Sequence, residues 1–574
     1  MGVQYPTWFG PDDLPLLGTV HVPDSGRARA AVVLCPPLGK EHVDTYRGIK
    51  ALAESLADRG LLAVRFDYAG AGDSAGAQDH PDAVAGWLRS VVEAVGLARA
   101  TGVSSICLAG LRSGALIAAA AAATEAIDSM VLWDPILSGR NYLREQRAQY
   151  TLSIGADDPS DPRVSILGGV LDPAAVSALG ALTIDPTRLA GVRTLLAVRT
   201  AVADTPAVRT LADALDGDEI TLVDHEAFTN PASFHVALPT GHIREIADWI
   251  AEGAPATGTE VRLEVRDRAR VASTADGRPV VETLEELGPN GLFAIRTHAA
   301  AGGDGATHPT LLFHATAYEH RVGPGRLWVE IARSLAADGV SSVRYDRRGT
   351  GNTGVVDPDN PVALYSDGSD RDARDAADAA VADPRDLVMT GLCSGAWYSA
   401  AVALRVRPRA VILTDLILWS VYRRRSLREQ LAPGMPAGDQ AGGDLSARAR
   451  IKALLQRHLP YPAWRLLGRF GVTQVPEVLL EALRKAGVPT TVILSAEDHA
   501  WFVGQRGEEG LRRLRRRGGD PEIHAVGFGD HPALHRDLRE RIRTVTTETV
   551  LNRFEISVDT ERTVDTERTA EVLR

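Results

Sequence analysis

Cysteine is scarce in this chain of 574 residues: Cys35, Cys107 and Cys393 are too few for a disulfide framework and lack the paired spacing of a zinc site. That usage points to a reducing cytosol. Long apolar runs are also missing. The longest, Gly114 to Ala123, stops at Thr124-Glu125, short of the ~18 residues a membrane span needs. A basic excess is absent too. The 63 Lys and Arg against 74 Asp and Glu leave a charge of −11, which offers no global field for nucleic acid or an anionic membrane. Met1 to Pro6 shows neither a basic n-region nor an apolar h-region, and Pro6 stands where a myristoylation signal takes Ser or Thr. The expectation is a soluble, cytoplasmic protein whose partners are small molecules or proteins, not nucleic acid or membrane.

What is present is core material: 45% hydrophobic and 24% charged residues, in a length that suggests two sizeable domains. The two halves repeat one another. Ala31-Val32-Val33-Leu34-Cys35 falls on Thr310-Leu311-Leu312-Phe313-His314, and Arg65-Phe66-Asp67 falls on Arg344-Tyr345-Asp346, both at an offset of 279. The offset then becomes 281, placing Gly110-Leu111-Arg112-Ser113-Gly114-Ala115 on Gly391-Leu392-Cys393-Ser394-Gly395-Ala396 and Asp134 on Asp415. Leu143-Arg144-Glu145-Gln146 recurs as Leu427-Arg428-Glu429-Gln430. Four matches in register predict two homologous domains in tandem.

Short Val/Leu/Ile runs alternate with Ala/Leu/Arg helical stretches, the pattern of an α/β fold with a mostly parallel sheet flanked by helices. In the second half the runs are Val343 to Asp346, Leu387 to Met389, Ala410 to Thr414, Thr491 to Leu494 and Ile523 to Val526. Further extended segments are expected near Val261 to Val265 and Leu292 to Arg296. The expected organisation is a first domain over 1–252, a linker over 253–258, and a second domain over 259–556 with a lid insertion at about 420–487. The repetitive stretch 557–574 is expected to be a disordered tail.

Leu387 to Ala396 reads as a strand, a tight turn and a helix start, with Gly391 and Gly395 two places either side of Cys393. That is the pattern of a nucleophile elbow. At this point the chain resembles the α/β-hydrolase superfamily, twice over, with Cys in place of the commoner Ser, as in dienelactone hydrolases. The family order is nucleophile, acid, His. Ser495-Ala496-Glu497-Asp498 looks like its acid loop and Gly529-Asp530-His531 like its His loop. The resemblance implies a catalytic triad of Cys393, His531 and Asp498, in which His531 moves the proton and Asp498 holds the ring. Glu497 and Asp415 compete for the acid, and His524 and His535 are surface rivals of His531. The implied oxyanion hole is the N–H of Ser394 with one from Thr316 or Ala317. Asp346 recurs in the other half as Asp67 and reads as a turn residue.

In the first half the nucleophile position holds Arg112, which cannot attack a carbonyl. Val202 takes the acid position, with Asp204 nearby. Phe228 stands opposite His531, with His225 off register, and Pro37, aligned with Thr316, has no N–H to donate. This half resembles degenerate relatives with a Pro-Pro-x-x-x-Glu-like loop, here Pro36 to Glu41. Its expected uses are a packing partner or an anion site around Arg112, with Arg65 as a second candidate.

A Cys nucleophile gives a thioester that water, alcohols and amines can all resolve. The expected activity is hydrolysis or acyl transfer on an ester, thioester or lactone, and the Ala/Arg/Asp-rich usage is compatible with specialised metabolite biosynthesis. Arg423, Arg424, Arg425, Arg428, Arg448, Arg450 and Arg457 crowd the lid. They read either as a solvated face or as a surface for an acyl group carried on a carrier protein or coenzyme A, with Arg424 and Arg428 as substrate-binding candidates. No metal and no cofactor is expected. The alternative is a non-catalytic tandem pseudo-hydrolase serving as a binding or scaffold module.

Overall fold

In the computed structural model the described residues are 2–231, 236–299, 309–316, 319–359, 362, 364–421 and 459–556. The expected tail and the arginines Arg423 to Arg457, Arg424 and Arg428 among them, lie outside them, as does Ala317. Described residues 2–231, 236–285 and 349–359 form one compact unit and the remainder, from 286 onward, the other.

The first unit is built on an eight-stranded sheet in the order Val3–Phe9, Leu16–Val22, Leu62–Phe66, Ala31–Cys35, Ile106–Leu111, Ser129–Trp133, Arg193–Arg199, Asp218–Leu222. The first two ladders are antiparallel and the rest parallel. The parallel strands from Leu62 to Trp133 are apolar along nearly their whole length because helices cover both faces. Lys40–Asp58, Ala83–Ala100 and Ser113–Ala121 are among those helices. Lys50 is fully buried, and its ammonium donates to the carbonyls of Gly351, at 3.1 Å, and Gly354.

In the second unit Leu292–Ala299 runs antiparallel to Ser341–Tyr345, which is followed across the sheet by Thr310–His314, Leu387–Leu392, Ala410–Thr414, Thr490–Leu494 and Glu522–Ala525, all parallel. Each run expected in this half is a strand. So is Leu292 to Arg296, but Val261 to Val265 is not. There the Val261 and Arg262 amides bond to Gly26 and Thr101, separate partners rather than one neighbouring strand, so no ladder forms. Within the stretch expected as a lid, the described residues carry helices Tyr461–Arg469 and Pro476–Lys485. Among the described residues no helix is long and apolar enough to cross a membrane.

Both sheets pass into a helix without a loop at their centre, and glycine makes this feasible. A Cβ on Gly395 would lie 2.1 Å from the His314 carbonyl oxygen, and one on Gly391 would lie 2.4 Å from the Gly395 carbonyl carbon. Gly114 stands in the same relation to Cys35, at 2.2 Å. These are backbone obstacles that cannot swing aside. Gly96, inside helix Ala83–Ala100, meets nothing within 4 Å. Gly395→Ala is expected to destabilise by about 1–3 kcal/mol through overpacking, and Gly96→Ala to stabilise by about 0.5–1 kcal/mol through helix propensity. Urea unfolding midpoints of the two variants would check the opposite signs.

Candidate functional site

Cys393 occupies the single residue between strand Leu387–Leu392 and helix Ser394–Val406, with φ 54 and ψ −116. A non-glycine residue held at positive φ is strained, and here the surroundings fix it: the Cys393 amide donates to the Thr414 carbonyl at 3.0 Å on the neighbouring strand. The side chain is 3% exposed. It stands at the N-terminus of a 13-residue helix, whose dipole favours negative charge.

His531 comes from the loop after the last strand, Glu522–Ala525. Its Nδ1 lies 2.9 Å from Asp498 Oδ2 and 3.0 Å from Oδ1. Its backbone N–H donates to Glu497 at 3.1 Å. The other ring nitrogen, Nε2, is buried and has no hydrogen-bond partner. Burial opposes a charge on this ring, but the neighbouring Cys393 sulfur and then the Asp498 carboxylate outweigh it, so the imidazole holds its proton well above the usual histidine range. The structure thus brings Cys393, His531 and Asp498 together. Of the rivals, His524 pairs with Glu522 at 2.7 Å, and the His535 side chain caps helix Arg536–Arg553.

Asp498 is positioned by local sequence. Ser495 caps helix Ala496–Gly504, and its hydroxyl accepts from the Asp498 N–H at 3.2 Å while donating to Asp498 Oδ2 at 2.9 Å. Ser-x-x-acid ahead of a helix is a capping-box signal, so Ser495 was findable from sequence. Asp415, the alternative acid, lies against the same serine: its Oδ1 accepts the Ser495 N–H at 2.6 Å. Burial and then the Asp498 charge push the Asp415 carboxyl far above the usual range. Asp346 accepts from the backbone and side chain of Arg321, at 2.9 and 2.6 Å, a turn-holding role.

Thr316 lies at the end of strand Thr310–His314, its hydroxyl 3.3 Å from that of Ser394. His314, just before it, shares a 2.8 Å hydrogen bond with Tyr345, and burial followed by the nearby Arg347 lowers its pKa to about 3, so it stays neutral. Tyr365 is a neighbour that sequence reading missed. Its hydroxyl is buried without a hydrogen-bond partner, and burial first, then Cys393, pushes its pKa well up. No motif marks it, because it precedes helix Asp367–Ala380 in a loop. Among the described residues no group of three or more His, Cys, Asp or Glu is placed to hold a metal ion.

The first unit repeats the elbow backbone with a different side chain. Arg112 sits at φ 53 and ψ −120, its amide on the Trp133 carbonyl at 3.0 Å. The anion site expected around it is filled from within: the guanidinium meets Glu41 at 3.1 Å, Asp134 at 3.5 Å and Glu145 at 3.8 Å. Burial works against its charge, but these three carboxylates, Glu41 foremost, hold the proton more tightly still. Arg65 is likewise engaged, with His21 at 3.0 Å and Asn352 at 2.9 Å. Phe228 stacks on Trp133 with centroids 5.6 Å apart, and burial lowers the pKa of His225 to about 4.

Residues 26–235 match a family model described as serine aminopeptidase, S33, and residues 305–542 match that of the alpha/beta hydrolase family. No curated protein matches the chain. Among solved structures it is similar to Est1E from Butyrivibrio proteoclasticus, with 17% identity and a TM-score of 0.33, covering 43% of this chain and 98% of that one. It is also similar to two fungal esterases from Rhizomucor miehei, with 16% identity and a TM-score of 0.30, covering 44% of this chain and 82% of theirs. Both family matches span a parallel sheet that turns through a strained elbow into a helix, and on that footing the chain carries two α/β-hydrolase domains in tandem.

Proposed function

We propose that the second domain, over 259–556, transfers acyl groups from an ester, thioester or lactone through Cys393, His531 and Asp498, and that the first, over 1–252, is a non-catalytic partner. The observation that carries this reading is the His531 ring, bonded to Asp498 at 2.9 Å on one side and electrostatically engaged with the elbow cysteine on the other.

The steps follow from that geometry. The Cys393 sulfur attacks the acyl carbonyl carbon as a thiolate while His531 carries the proton. The negative oxygen that forms is met by the N–H of Ser394 and by one from Thr316 or Ala317. Collapse breaks the bond to the leaving oxygen or sulfur, which takes the proton from Nε2 and leaves a thioester on Cys393. Water or another acceptor then gives its proton to Nε2 and attacks the thioester, and Cys393 departs as thiolate. Asp498 keeps Nδ1–H pointed at itself, so Nε2 faces the chemistry in both halves of the cycle. An acyl group carried on a phosphopantetheine arm would suit the arginine-rich stretch from Arg423 to Arg457, which supports carrier-bound or coenzyme A thioesters as substrates.

Intact-protein mass after incubation with acyl thioesters and activated esters tests the reading. An adduct is expected on the wild type, absent from Cys393→Ala and longer-lived in His531→Ala. Mild electrophiles should label Cys393 before Cys35 and Cys107, because burial pushes the Cys35 thiol far up and the Cys107 thiol to about 12. Equal labelling of all three only after denaturation, with no adduct, would favour a binding module.

A pH profile gives a second check. His531 must be protonated to expel the leaving group, and its pKa is raised, so the alkaline limb of kcat/KM is expected above the ordinary histidine value of about 6.5. Asp498→Asn removes a charge that raises that pKa. The limb should move to lower pH and activity fall by roughly 10²- to 10⁴-fold.

A further inference from the structure

Asp415 and Asp498 are two fully buried carboxyl groups that share one serine. Ser495 donates its backbone N–H to Asp415 Oδ1 at 2.6 Å and its hydroxyl to Asp498 Oδ2 at 2.9 Å. Asp415 is 0% and Asp498 2% exposed. Both oxygens of Asp498 face His531 Nδ1, whereas Asp415 Oδ2 is buried without a partner. Among the described residues, no Lys or Arg forms an ion pair with either carboxyl.

The first domain supplies a built-in comparison. Asp134 occupies the position of Asp415, with φ 44 against 45, and its amide bonds to the neighbouring strand in the same way. Around Asp134, however, stand Arg199 at 2.9 Å and Arg112 at 3.5 Å. Their positions in the second domain are those of Ser495 and Cys393. The aspartate has persisted in the repeat where neither replacing residue, Ser495 or Cys393, is a cation.

A lone buried carboxylate is costly unless a cation or several donors meet it. Among the described residues the cation that meets the pair is His531, and Asp498 already takes it. We propose that Asp415 is a positioning residue that works as a neutral carboxylic acid, with its proton on Oδ2. Resting on the triad reading above, this assigns the pair a single negative charge. Asp498 alone sets the basicity of His531, and Asp415 orients Ser495, which in turn orients Asp498. The groups that face Asp415 are the Asp498 carboxylate, which favours the proton, and His531, which opposes it. A second charge at Asp415 would bind the His531 proton more tightly and delay its release to substrate.

The experiment compares Asp415→Asn with Asp498→Asn in the full chain. Asparagine retains an acceptor for Ser495 and mimics the protonated acid. Asp415→Asn is expected to keep kcat/KM within about threefold and to superimpose on the wild type at and below neutral pH, diverging only on the alkaline side, while Asp498→Asn loses about a hundredfold or more. Infrared spectra should show the carbonyl stretch of a buried protonated carboxyl at neutral pH in the wild type, missing from Asp415→Asn and kept in Asp498→Asn. If Asp415→Asn does not fold, the band itself decides. Without the Asp498 charge it must vanish at lower pH than in the wild type. An Asp415→Asn variant as inactive as Asp498→Asn, or a wild type without the band, overturns the proposal. Lack of an acyl adduct would sink the triad reading and leave the infrared result standing, so the two failures are separable.

Discussion

In each sheet one strand turns directly into a helix, and that turn depends on the close passage of two backbones. The His314 carbonyl lies where a Cβ on Gly395 would be, and the Cys35 carbonyl lies where one on Gly114 would be. With those glycines in place, the residue between strand and helix is forced to positive φ in both domains, whether it is Cys393 at 54 or Arg112 at 53. The same backbone therefore carries a thiol in one copy and a guanidinium in the other. The elbow belongs to the fold, and the chemistry belongs to whichever side chain occupies it.

Charge balance distinguishes the two copies. Around Arg112, three carboxylates close on one guanidinium, and Arg199 adds a second cation on Asp134. Such a cluster gains little net stability from its ion pairs, yet removing Arg112 would leave the buried Glu41 and Asp134 charges short of a partner. Around Cys393, among the described residues, no Lys or Arg pairs with Asp415 or Asp498, and His531 bonds Asp498 alone of the two. Where the first copy meets charge with charge, the second sets a serine between its two aspartates: Ser495 donates its N–H to one and its hydroxyl to the other.

The fold was readable because its signals are periodic and repeated. Apolar runs bounded by helical stretches announce parallel strands, and the shift of the repeat offset from 279 to 281 keeps both elbows in register. Cys393 stood out through its glycines, and Asp498 and His531 through their place after successive strands. What stayed hidden needed strand order and side-chain direction. Nothing in the string places Glu41 and Glu145 against Arg112, so a cation looked available where three carboxylates already surround it. Tyr365 lies in a loop without a motif, and its nearness to Cys393 depends on how that loop crosses the sheet. Val261 to Val265 has strand-forming composition but donates its backbone to scattered partners, and a strand is defined by its neighbour as much as by its own residues.

More than the elbow residue distinguishes the first domain from the second. In the aligned sequences Phe228 stands where the second domain has His531, and Pro37, which lacks an N–H, where it has Thr316. Cysteine in place of Arg112 would also strand Glu41, a carboxyl that burial already pushes toward its neutral form and that Arg112 chiefly keeps charged. His225, the imidazole nearest to hand, is buried against Trp133 at 5.8 Å and is held neutral. Glu41 and Asp134 are the buried groups that Arg112 meets directly. The elbow of the first copy is thus internally consistent as an ion-paired cluster, in which Arg112, Glu41, Asp134 and Arg199 depend on one another.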